Sequence, residues 1–112
     1  MDLEVFELVM LRRPADAPDY SDEELDDIQR RHLGFYDDLR AAGQVVTNGP
    51  VDGATDPSLR GLAFYRTGSL EQSRVLAEDD PAVRAGRLTV EIMTWYCGPG
   101  TMSKPGRPVT LT

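Results

Sequence analysis

Apolar side chains recur along this chain with two different periods, and the switches between them outline the fold. Between Ser21 and Gly43, Leu25, Ile28, His32, Phe35 and Leu39 follow one another at steps of three and four, which puts them on one face of a helix. Its start is written into the sequence. Ser21 is an N-cap with Glu24 placed to close a capping box, and Tyr20 and Leu25 flank it as a hydrophobic staple. Asp22, Glu23 and Glu24 add negative charge where the helix dipole favours it. Gly43 stands at the C′ position, with Arg40 in the last turn.

Elsewhere the period is two. Residues 3–11 alternate, with Leu3, Val5, Glu7, Val9 and Leu11 on one face and Phe6, Leu8 and Met10 on the other. Both faces are largely apolar, which predicts a central strand or one covered on its second side. Short strands are expected at 44–47 and 61–66, the first ended by Asn48, Gly49 and Pro50. The stretch 51–60 between them, with Asp52–Gly53 and Asp56–Pro57, reads as a turn-rich loop; it lacks the regularly spaced oxygen ligands of a calcium loop. Ser69, with Gln72 as box partner, opens a second helix to about Glu78. Asp80 then caps a helical turn with Pro81 at N1 and Gly86 at its end. The last strand is 87–96, with Leu88, Val90 and Ile92 on one face and Thr89, Glu91, Met93 and Trp95 on the other.

The order βαββαβ predicts a ferredoxin-like α+β fold, a four-stranded antiparallel sheet with two helices on one side. It occupies residues 1–96 as one domain, followed by a Gly/Pro-rich tail at 97–112 whose 109–112 end is a candidate added strand. Two helices cover one sheet face only. On the other, Glu7 and Glu91 are expected as the main polar breaks in a hydrophobic surface, so dimerisation through that face is the economical solution. At 112 residues with 40% apolar content, the chain is long enough for a core. Its net charge of −7 and the absence of a Lys/Arg cluster in the sequence argue against nucleic acid and anionic membranes as partners. No apolar run is long enough to span a bilayer, the acidic N-terminal strand does not read as a signal peptide, and a cytoplasmic protein is the default. One cysteine and one histidine make an internal disulfide impossible and a metal site unexpected, and no dinucleotide or phosphate-loop motif implies a cofactor.

The one local conflict is His32, a polar side chain in the helix stripe that meets the core. It reads either as a neutral ring donating to a backbone carbonyl, or as an acid–base group at the edge of a cleft, which requires a carboxylate on its other nitrogen. Asp37 and Asp38 are expected to face solvent, and Glu7 and Glu91 to lie across the sheet; Asp79 and Asp80 end the neighbouring helix. Phe35 suits ordinary core packing, whereas a buried Tyr36 needs a partner for its hydroxyl. Cys97 sits past the last strand with no second histidine to activate it.

The segments HLGFYDDLRAAGQVVTNGP at 32–50 and AEDDPAVRAGRLTVEIMTW at 77–95 resemble the YCII-related family over nearly all of the chain up to Trp95. His32–Leu33, Ala42–Gly43, Gly49–Pro50, Asp80–Pro81 and Ala85–Gly86 carry the likeness; Asn48 departs from it, standing where a glycine often precedes the Gly–Pro. The resemblance implies a ferredoxin-like dimer with a histidine–aspartate pair in a cleft, mapping onto His32 and Asp80. It further implies a small, aromatic ligand, with dehalogenation of a chlorinated, hydroxylated aromatic ring as one family example; the enzymatic reading for this chain is then cofactor-independent acid–base chemistry by His32 oriented by Asp80. Phe35, Tyr36 and Tyr65 are candidate pocket aromatics for such a ligand. A non-catalytic dimer that binds a small molecule or serves as an accessory protein is the alternative.

Overall fold

A computed structural model describes residues 1–111, and the elements run in the expected order. Strand β1 (Glu4–Arg12) is followed by helix α1 (Asp22–Ala41), strands β2 (Val45–Pro50) and β3 (Leu59–Tyr65), helices α2 (Leu70–Glu78) and α3 (Pro81–Arg84), and strand β4 (Thr89–Cys97). All neighbouring strands pair antiparallel in the order β2-β3-β1-β4. This is the ferredoxin-like α+β plan, with β1 and β3 in the middle of the sheet and β2 and β4 at its edges. Among the described residues no helix is long and apolar enough to cross a membrane.

The local signals explain the boundaries. Ser21 accepts from the Glu24 amide while the Glu24 carboxylate accepts from the Ser21 amide, so two of the free donors at the start of α1 are satisfied reciprocally. Gly43 ends the helix at φ +76°, a conformation that costs a side chain with a Cβ. The turn-rich loop is tied by Asp56, which accepts from the Ser58 amide and pairs with Arg12. Strand β2 runs on through Asn48, Gly49 and Pro50, residues expected to end it, because Pro50 lies on an edge strand where its missing N–H costs no ladder bond. Beyond β4 the tail forms a short 3-10 turn at Thr101–Ser103. The candidate strand at 109–112 is not formed at residues 109–111, and Thr112 lies outside the described residues.

Helix α1 packs on β2, α2 packs on β4 and β1, and α3 packs against α1. The core between helices and sheet holds Val9, Leu11, Ile28, Leu39, Val45, Ala63, Ala77 and Leu88. Burying each Val, Leu or Ile here contributes about 1.5–3 kcal/mol. Helix α1 turns its stripe slightly from the expected line: Tyr36 is fully buried and Phe35 only partly, so the deepest ring is one residue further on.

The placement of Glu7 is corrected. It lies on the helix-covered face, opposite Tyr65, and is 4% exposed. One of its carboxylate oxygens accepts from the amides of Thr67 and Gly68 and from the hydroxyls of Thr67 and Ser73, so it fastens β1 to the turn that starts α2. Alternation along β1 fixes which residues share a face, but with both faces apolar it does not say which face the helices cover. Glu91 does lie on the uncovered face, beside Met10, and pairs with Arg12. Glu7→Ala leaves four donors around a buried site without their acceptor. It is expected to destabilise the fold by about 2–4 kcal/mol in urea unfolding, and an unchanged midpoint would contradict this role.

Candidate active site

Three short-range features put His32 and Asp80 together. Helix α2 stops at Glu78, Asp79 closes its C-terminus, and Asp80 at φ −55°, ψ 128° begins α3 at once. Pro81 at N1 fixes this corner, because its ring favours the first helical position and it has no N–H to satisfy. The corner points the Asp80 side chain inward, where it is 0% exposed. Within the first turn of α3, the Ala82 amide donates to Asp80 Oδ1 at 2.9 Å. Across the gap, α1 presents His32, whose Nδ1 lies 2.9 Å from Oδ1 and 2.8 Å from Oδ2 of the same carboxylate.

The proton assignment follows from chemistry. A carboxylate only accepts, so Nδ1 carries the hydrogen and the neutral ring keeps its lone pair on Nε2. Nε2 has no hydrogen-bond partner, yet among the described residues no buried side-chain nitrogen or oxygen lacks one. Nε2 therefore reaches solvent, although the side chain as a whole is only 14% exposed. The arrangement is a base with one nitrogen fixed by a buried acceptor and the other presented outward.

A tyrosine pair packs behind the ring. Tyr36, one turn further along α1, meets His32 edge-on with centroids 5.3 Å apart. Its hydroxyl bonds that of Tyr65 on β3 at 2.9 Å, and both side chains are fully buried. Burial raises the pKa of Tyr36 far above its ordinary value, and Tyr65 and the negative Asp80 push it the same way. For Tyr65, burial again dominates and Asp80 adds to it, while the Tyr36 hydrogen bond acts in the opposite direction. Both phenols stay neutral, so they bear on the dyad through packing and dipoles.

His32 opens into a cleft of about 300 Å³ between α1, β2 and β3. Gln29 and Leu33 of α1, Gly49 and Pro50 of β2, and Arg13 and Arg60 form much of its wall. Phe35, Tyr36 and Tyr65 are not part of that wall: Tyr36 packs against the imidazole, Tyr65 packs against Tyr36, and Phe35 meets Tyr36 edge-on at 5.2 Å. Larger hollows of about 640 and 680 Å³ lie on the outer side of α1 and near α3, but neither holds the histidine or Asp80. Asp37 and Asp79 are exposed and pair with Arg40 and Arg84 on their own surfaces. The arginines of the cleft had no motif to announce them. Arg13 lies in an irregular connection and Arg60 in a strand irregularity, and only the folded chain brings them to His32.

The fold and this geometry define a small α+β protein with a histidine–aspartate contact at the edge of a cleft. The YCII-related domain model matches residues 7–96, and the chain belongs to that family. Among solved structures it is similar to 5-chloro-2-hydroxyhydroquinone dehydrochlorinase from Burkholderia phenoliruptrix AC1100, in complex with 2,5-dihydroxybenzoquinone. The two share 19% identity and a TM-score of 0.55, with 82% of this chain and 93% of that one covered. At that identity the likeness concerns the fold. No curated protein sequence matches the chain.

Proposed function

We propose that this protein is a cofactor-independent enzyme in which His32 and Asp80 carry out acid–base chemistry on a small organic, aromatic substrate. The observation that carries this reading is the division of labour on one imidazole: Nδ1 is held by a fully buried carboxylate while Nε2 is accessible at a cleft. In the proposed reaction, Nε2 takes a proton from the bound substrate and the imidazolium forms against Asp80, whose charge stabilises it. The electron pair released in the substrate then either shifts a double bond or expels a leaving group such as chloride. His32 returns the proton to product or solvent. Tyr36 keeps the ring in the cleft plane from behind. The dehydrochlorinase of similar fold supports an elimination as the first reaction to test.

A panel of hydroxylated and chlorinated aromatic compounds, with and without a ring carboxylate, tests this by chloride release and absorbance. Wild type is expected to turn over at least one member, and His32→Gln and Asp80→Asn to lose roughly 10²–10⁴-fold in rate. Circular dichroism of His32→Gln should match wild type, since a glutamine amide can still donate to Asp80. Equal rates in wild type and His32→Gln, or no turnover on any member, would favour a non-catalytic binding or accessory role.

The working unit in this proposal is a homodimer. The sheet face away from the helices carries Phe6, Leu8, Met10, Leu62, Phe64, Met93 and Trp95, with Glu91 the carboxylate among them. Phe64 and Phe6 sit 5.0 and 6.0 Å from the Trp95 ring, with Phe64 and Trp95 half-buried and Phe6 already buried. The inward placement of Glu7 leaves this face more apolar than the sequence implied, and a contiguous apolar surface of this kind favours a partner. Sedimentation at micromolar protein is expected to give twice the 12.4 kDa chain mass. A species at 12.4 kDa alone would contradict the dimer, and Trp95→Glu should shift a dimer toward monomer.

A further inference from the structure

The cleft at His32 is unusual for this chain in the sign of its charge. The protein as a whole carries −7, and most of its arginines are already neutralised: Arg12, Arg30, Arg31, Arg40, Arg74 and Arg84 each pair with a carboxylate. Of the other five, Arg66 and Arg107 are exposed, whereas Arg13, Arg60 and Arg87, which also form no such pair among the described residues, lie close together. Arg13 and Arg60 line the cleft with His32, and Arg13 and Arg87 share the adjoining hollow. Asp26 borders that second hollow, but no ion pair joins it to either arginine. Burial holds the Arg13 guanidinium below its ordinary value, and the positive charges of Arg87 and Arg60 act in the same direction. Like charges have been gathered here with no carboxylate at ion-pair distance among the described residues; the nearby carboxylate of Asp80 is already taken up by His32 and the Ala82 amide.

The backbone has been shaped to allow this. Leu11 pairs with Gly61 and Arg12 with Leu59, so Arg60 is the extra residue of a bulge between them. A bulged residue escapes strict alternation, and bulges commonly re-aim a side chain beside a binding site. Strict alternation would put Arg60 with Leu62 and Phe64; as the extra residue of the bulge it is among the residues that line the His32 cleft, next to Gly61 and Leu62. Gly61, the next residue, keeps the floor of the cleft low: a Cβ there would lie 3.2 Å from the Gly49 carbonyl oxygen of β2. Arg13 is fixed by one end only, its Nε donating to the Arg87 carbonyl at 2.9 Å, so its terminal nitrogens remain free to bind.

We propose that the substrate of this cleft carries an ionised carboxylate, held by Arg13 and Arg60 while the remainder of the molecule lies against Nε2 of His32. This rests on the reading of His32 as the reactive base and extends it by naming the charged handle that positions the substrate. Guanidinium groups suit a planar carboxylate because their paired N–H donors match its two oxygens, and the bond is charge-assisted. Arg87 adds favourable potential from behind without reaching the ligand. A volume of about 300 Å³ is enough for a single-ring acid.

Benzoate, benzamide and inorganic phosphate are suitable probes for titration into the full-length protein, followed by two-dimensional NMR. The lone histidine and the amides of Gly49 and Gly61 report on the cleft. Benzoate is expected to shift these signals saturably, benzamide at equal concentration to leave them in place, and phosphate to compete weakly with benzoate. Arg60→Gln should weaken benzoate binding about tenfold or more, the loss of one charge-assisted contact, and Arg13→Gln at least as much. Because Arg60 is exposed, its variant keeps the test valid even where Arg13→Gln fails to fold. His32→Gln should still bind benzoate while losing turnover, which separates the carboxylate site from the acid–base reading. Equal shifts with benzoate and benzamide, phosphate binding without benzoate binding, or unchanged benzoate affinity in Arg60→Gln would each overturn the proposal.

Discussion

A buried carboxylate sets the terms for this site. Asp80 is withdrawn completely from water, and an ion in that position costs several kcal/mol unless its lone pairs are met. Two donors meet them, the Ala82 amide from the next turn and Nδ1 of His32 from another helix. The first makes the corner between α2 and α3 possible; the second ties that corner to α1. The imidazole is consequently held in position by the demands of the carboxylate, not by its own preference for the core. A histidine that serves a buried acceptor in this way has its second nitrogen left over for other work.

The same logic of satisfied burial recurs at Glu7, and the comparison is instructive. Glu7 receives four hydrogen bonds at one oxygen from a turn and two hydroxyls, all within its own scaffold. It touches no cleft and no histidine, so it is a fastening. Asp80 differs by having a titratable partner that reaches solvent. The arginines present the converse case: Arg13, Arg60 and Arg87 form no ion pair among the described residues, and the positive charges of Arg87 and Arg60 act on Arg13. The proposed carboxylate site rests on this contrast between fully satisfied buried carboxylates and guanidinium groups that form no ion pair among the described residues beside the histidine.

Much of the fold was legible because its boundaries are chemical. The Ser21–Glu24 box, Gly43, Ser69 and Asp80–Pro81 each satisfy or block a particular backbone group, and the structure uses every one of them. The contact between His32 and Asp80 was reached differently, through family resemblance, because periodicity places a histidine on a face without naming what lies opposite. The side of the sheet taken by Glu7 was not legible, since β1 is apolar on both faces and alternation is symmetric to exchanging them. Phe35 and Tyr36 differ by about 100° around α1, and tilt of the helix on the sheet decides which is deeper. Arg13 and Arg60 escaped notice for a related reason: an irregular connection and a bulge have no period from which to read direction.

The central claim, that Asp80 fixes Nδ1 and leaves Nε2 as the reactive nitrogen, is open to direct observation. Because His32 is the only histidine, nitrogen-15 correlation spectra of the labelled protein show its tautomer without ambiguity of assignment. At a pH where the ring is neutral, the account predicts a proton on Nδ1 and a bare Nε2, with this preference relaxed in Asp80→Asn. A neutral ring carrying its proton on Nε2 would contradict it, because the nitrogen facing the cleft could not then accept a proton from any substrate.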